Sequence, residues 1–206
     1  MRLFARMENM NRSYVLKVQN EIEESIDRHG SILGIPKKEH LLKDIVNILQ
    51  FVREKNEVNN SELTEFIMEF FGVSFNTARS VRTVLERANL LLRATNKKIR
   101  LTNMAENYFK TNNYGYLKKR FVWNFFGFFE LLLLVQIHKP KKKNEILSHW
   151  EELYQTEFGE RKKRTYSTQF DRVFIYLRGL GLIKSDDNQI SINYEAYDEL
   201  ENVDFW

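Results

Sequence analysis

The chain has 206 residues, 43% of them apolar, enough to bury one large core or two small ones in a folded, soluble protein. Only 2 prolines and 8 glycines stand against 16 phenylalanines, which favours helices over a many-turned sandwich or barrel. The absence of cysteine excludes disulfides, thiolate zinc sites and a cysteine nucleophile, and it fits a reducing, cytoplasmic setting. Net charge is +4 but unevenly spread: Ser74 to Arg120 holds 11 basic residues against 2 acidic ones, whereas Ser185 to Trp206 is acidic with no Lys or Arg. The first region suits a polyanion and the tail does not.

In chain order, MRLFARMENMNRSY lacks the continuous apolar run of a signal peptide. Leu3, Met7, Met10, Tyr14, Val18, Ile22 and Ile26 recur at helical spacing, so residues 1–36 are expected to form an N-terminal helical arm. The arm either packs on its own chain or mediates self-association through residues 1–28.

The first repeating unit is placed at residues 37–115. Glu39 to Glu54 predicts a helix, and Asn59 with Glu62 makes a capping box for a second, striped by Leu63, Phe66, Ile67 and Phe70 and stopped by Gly72. A third helix begins after Ser74, with Ala78, Val81, Leu85 and Ala88 on one side and Asn76, Arg79, Ser80, Thr83 and Arg87 on the other. LLLRATNKKIRL then predicts a short basic hairpin carrying Arg93, Lys97, Lys98 and Arg100.

The second unit is placed at residues 116–206 and ends in the acidic tail. Phe121 to Ile137 is read as one central core helix: it is shorter than the ~20 apolar residues a membrane span needs, and it carries Asn124, Glu130 and Gln136. No membrane association is expected. After Lys139-Pro140, NEILSHWEELYQTEFG predicts a helix ending at Gly159, and a third helix and a hairpin follow.

The two units align at an offset of 92 residues, with Val81 over Val173, Leu85 over Leu177 and Leu90 over Leu182. Each runs helix, helix, helix, two-stranded hairpin, the order of a winged helix. The fold class is therefore mainly α with small β-hairpin wings: two tandem winged-helix domains plus the arm.

The stretch SFNTARSVRTVLERANLLLRATNKKIRLTNMAENYF, followed by YLKKRFVWNFFGFFELLLL, resembles the DNA-recognition region of type IIS restriction and nicking endonucleases, over roughly residues 40–195. That region is built of successive winged-helix subdomains. The resemblance implies double-stranded DNA as partner, with a nuclease domain or subunit elsewhere. Of the cleavage motif PD-(D/E)xK only Glu160-Arg161-Lys162 matches, with no aspartate before it nearer than Asp44, so the match is read as chance.

The residues expected at DNA are Asn76, Arg79, Ser80, Arg82, Thr83 and Arg87 on the third helix and Arg93, Lys97, Lys98 and Arg100 on its wing. In the second unit they are Lys141, Lys142, Lys143, Arg161, Lys162, Lys163, Arg164, Thr168 and Arg172. Arginine pairs with guanine and asparagine with adenine in the major groove, while exposed Lys and Arg meet phosphates.

The four histidines show no metal-ligand spacing, and no glycine-rich phosphate loop or nucleophile elbow is present. No cofactor, metal or catalysis by this chain alone is expected. Two readings compete with sequence-specific DNA binding. One is a protein–protein adaptor resembling the kleisin-binding partners of SMC complexes, and the other is a transcriptional regulator.

Overall fold

The computed structural model describes residues 28–30, 32, 40–94, 97–138, 141–186 and 189–201. The expected helical arm and its self-association lie outside the described residues, apart from its last few positions. Mostly helical with small antiparallel hairpins, the chain follows the sequence reading of fold class.

Helix α1 (Leu41–Lys55) buries Leu41, Ile45, Ile48, Leu49 and Val52, a stripe at three- and four-residue spacing. Helix α2 (Asn60–Phe71) opens with the expected capping box, Asn59 N–H donating to Glu62 at 3.4 Å, and closes on Gly72 at φ 65°. Helix α3 (Phe75–Arg87) runs to a left-handed turn at Asn89, φ 55°, from which β1 (Leu91–Arg93) and β2 (Ile99–Leu101) form an antiparallel hairpin. Val58, between α1 and α2, exchanges both backbone hydrogen bonds with Ile99, at 2.9 and 2.8 Å, and so acts as a one-residue third strand. Helix α4 (Asn103–Thr111) follows, capped by Thr102.

Helix α5 (Gly115–Asn124) stops short of the expected continuous core helix. The chain breaks over Phe125–Gly127 and resumes as α6 (Phe128–His138). Two features make the break. Gly127 sits at φ 101°, which side-chain-bearing residues rarely adopt, and its N–H donates to Glu130 at 2.7 Å, capping α6. Arg28 supplies the other half: its guanidinium donates to the carbonyls of Val122, Trp123 and Phe125, left open by the end of α5, and pairs with Glu130. No helix of the described residues is long and apolar enough to cross a membrane.

The second repeat continues with β3 (Lys141–Lys142), α7 (Lys143–Phe158), α8 (Lys163–Gly179), β4 (Ile183–Asp186), β5 (Gln189–Ile192) and α9 (Tyr194–Glu201). Strand β3 pairs with β5, its Lys141 opposite Ile190, where the first half has Val58 opposite Ile99. The internal repeat extends to hydrogen bonds. Thr102 donates to the carbonyl of Asn89 at 2.8 Å, and Asn193 to that of Gly181 at 2.7 Å; both carbonyls belong to left-handed residues at helix ends. The buried side chains form one continuous cluster through both repeats, including the fully buried Trp150, Phe121, Phe125, Phe128 and Phe170.

A Cβ at Gly127 would lie 2.3 Å from the Trp150 ring. Gly127→Ala is therefore expected to lower unfolding free energy by about 2–4 kcal/mol, from backbone strain and overpacking together, as read by urea denaturation. An unchanged midpoint would contradict the tight junction.

Candidate nucleic-acid interface

Helix α3 separates its faces as its 3.6-residue period requires. Ala78, Val81, Val84 and Leu85 are buried, Asn76 and Arg79 are exposed, and Ser80, Thr83 and Arg87 are half-exposed. Ser80 donates to the carbonyl of Asn76 at 3.0 Å and Thr83 to that of Arg79 at 2.9 Å. With their protons committed to the helix, these hydroxyls present oxygen lone pairs outward and suit donors such as base amino groups better than phosphates.

Arg82 departs from the expected interface. It is 8% exposed, and its guanidinium reaches Thr64 at 3.0 Å, the Asn60 carbonyl at 3.4 Å and Glu86 at 3.3 Å. Burial pulls its pKa down, opposed by the Glu86 carboxylate, and the group stays charged. Its work is to fasten α3 onto α2. In a helical projection Arg82 lies on the edge of the apolar arc between Ala78 and Leu85, which is the signal that assigns it inward.

On the hairpin, Arg93, Lys97, Lys98 and Arg100 are all exposed. Arg93 shares Glu86 with Arg82, at 3.4 Å, and Lys98 lies 3.6 Å from Glu57. No ion pair involves Arg79, Arg87, Lys97 or Arg100 among the described residues. Part of the charge excess counted in the sequence is internal. Lys118 is buried against Glu199 of α9, and Lys119 is buried over the Trp123 ring, 5.5 Å from its centroid.

In the second repeat the expected residues divide again. Lys143 pairs with Asp171 at 2.7 Å and lies over the rings of Phe170 and Phe174, and Arg172 donates to the carbonyl of Ile32 at 3.1 Å. Both, expected at DNA, make contacts within the chain and are half-exposed. Lys142 is exposed on β3, Lys141 pairs there through its backbone, and Thr168 is half-exposed on α8. Arg161, Lys162, Lys163 and Arg164 are all exposed at the start of α8. Four cations at the positive end of a helix dipole repel it, an arrangement that a phosphate would relieve.

Glu160, of the partial cleavage motif, is exposed in the loop before α8. Among the described residues no group of three or more His, Asp or Glu is placed to hold a metal ion. His138 and His149 instead stack on each other, ring centroids 3.9 Å apart.

The described chain is thus a helical assembly with small hairpins and one cationic helix–hairpin face. Its fold is similar to that of the BpuJ1 endonuclease binding domain, solved in complex with pyrene- and phenanthrene-modified DNA. The TM-score is 0.50 over 86% of this chain and 85% of that one, at 13% sequence identity. At that identity the likeness is one of fold. No protein-family model and no curated protein matches the chain.

Arg82→Ala should cost about 2–4 kcal/mol of stability by stripping a buried network of its cation, while Arg79→Ala should change stability by less than about 0.5 kcal/mol. Urea titration of the two variants checks the division of α3. Equal losses would contradict it.

Proposed function

We propose that this chain binds double-stranded DNA sequence-specifically, as the recognition part of a restriction or defence endonuclease whose cleavage is carried out by a separate domain or subunit. The observation that carries the reading is the outward face of α3 and its hairpin. There Arg79, Arg87, Lys97 and Arg100 stand without ion-pair partners among the described residues, beside Asn76 and two hydroxyls offering lone pairs. Helix α3 enters the major groove, Arg79 and Asn76 read base edges, and the hairpin cations meet the flanking phosphates.

Two further observations support this reading. The element order of each repeat, helix, strand position, helix, helix, hairpin, is that of a winged helix, so residues 37–115 and 116–206 are proposed as tandem winged-helix domains. The structural neighbour is itself an endonuclease binding domain held in a complex with DNA. The second domain reaches DNA through Arg161, Lys162, Lys163 and Arg164, and not through the middle of α8, where Arg172 and Lys143 are engaged. The chain acts without a cofactor of its own and catalyses nothing by itself. Its place of work is the cytoplasm.

Fluorescence anisotropy with duplexes selected from a random pool tests the proposal. With four to six phosphates neutralised, the logarithm of the association constant should fall against log salt with a slope of about −4 to −5. Arg79→Ala should cost about 1–3 kcal/mol on the selected sequence and broaden the consensus. Arg100→Ala should weaken all sequences alike and make the slope shallower by about 1. A short asymmetric consensus supports the restriction-type reading, and failure to retain any duplex at low salt would reject DNA binding.

A further inference from the structure

Among the described residues three large apolar side chains stand exposed: Phe75, Leu92 and Tyr194. Leu92 lies across the hairpin from Arg100, and Tyr194 precedes an exposed glutamate. Phe75 is the case the fold does not account for. It is 56% exposed at the first position of α3, off the stripe formed by Ala78, Val81 and Leu85. The cap position just before it belongs to Ser74, whose hydroxyl lies 3.1 Å from that of Thr77 and makes no bond to Phe75. Phe75 stands one turn before Arg79 on the same flank of the helix, with Asn76 the next residue in sequence and about a quarter-turn further round. The exposed ring therefore flanks Arg79, at the border of the outward face, and it carries no hydrogen-bonding group of its own.

Of the features a major groove displays, one is apolar: the 5-methyl group of a pyrimidine. Resting on the DNA-binding reading above, we infer that Phe75 is a specificity-determining residue that packs on a pyrimidine 5-methyl group next to the base read by Arg79 or Asn76. The methyl belongs to thymine or to 5-methylcytosine, which present it at the same place on the groove wall. The ring leaves water when that methyl meets it, and an unmethylated pyrimidine at the position leaves the ring facing solvent. The contact adds discrimination without adding charge, so it leaves the salt dependence unchanged.

The test selects bound duplexes from a random pool with the full chain and with Phe75→Ala, then resynthesises the selected sequence with each thymine replaced singly by uracil and each cytosine by 5-methylcytosine. Loss of the contacted methyl should weaken the parent protein about fourfold, the worth of one buried methyl. Phe75→Ala should bind the methylated and unmethylated duplexes equally, and Phe75→Leu, which keeps an apolar surface, should recover most of the difference. If uracil at one position costs the parent about fourfold, the contact is to thymine; if 5-methylcytosine gains that factor, the contact is to the modified base. Tight binding with no sensitivity to either replacement, or equal sensitivity in the parent and Phe75→Ala, overturns the inference and leaves DNA recognition standing. Retention of no duplex by the parent removes both. An unchanged urea midpoint for Phe75→Ala shows that the readout concerns binding and not folding.

Discussion

A single guanidinium holds the middle of this molecule together. Arg28 occupies the gap between the end of α5 and the start of α6, donating to three carbonyls that the broken helix leaves open and pairing with the carboxylate that caps the next helix. Buried carbonyls without donors would make so apolar a break costly, and a buried cation without an acid would be worse. With both requirements met by one side chain, the chain can turn at Gly127 and start a second repeat against the first. The residues around Arg28 extend the junction. His29 bridges to Phe125, Tyr154 donates to the Gly30 carbonyl at 3.0 Å, and Arg172 donates to that of Ile32 at 3.1 Å. The short stretch ahead of the first repeat is thereby stitched to the second, and the two halves share one core.

The same physics sorts the rest of the charge. Cations at the edge of the apolar arc of a helix, such as Arg82, or against a ring, such as Lys119, are neutralised or stacked inside the fold and lend it rigidity. Arg79 and Arg87 on the outer arc of α3, and Lys97 and Arg100 on its hairpin, make no ion pair among the described residues. A rigid scaffold that displays cations without internal partners is what recognition of a polyanion needs, because ordering them costs little more when the ligand arrives. The acidic residues near the end of the chain are consistent with this division. Glu199 serves the buried Lys118 and not the surface.

Much of the fold was legible because period and caps agreed. The box at Asn59 and Glu62 and the stop at Gly72 stand where the residue types put them. The internal repeat was legible too, in the 92-residue offset that lays Val81, Leu85 and Leu90 over Val173, Leu177 and Leu182. The break at Phe125–Gly127 was hidden because its flanks are uniformly apolar, so hydrophobic period carries no information there. Its determinants are one glycine and an arginine from a distant segment. On α3, residue type and helical angle put Asn76, Arg79, Thr83 and Arg87 on the outward side, where the fold leaves them. Arg82 was assigned outward although it stands at the edge of the apolar arc and is buried against Thr64, and the contacts of Lys143 with Asp171 and of Arg172 with Ile32 join separate elements and leave no local trace. Counting charge along the stretch overstated the surface field for the same reason, since Lys118 and Lys119 fold inward.

The central claim is that the guanidinium groups on the outer arc of α3 are covered by a duplex when it binds. Modification of arginines by phenylglyoxal, read residue by residue by mass spectrometry with and without saturating DNA, tests it directly. The account predicts that Arg79 and Arg87 react freely in the isolated protein and are shielded in the complex. Equal reactivity of both in the two states, with the DNA demonstrably bound, would contradict it.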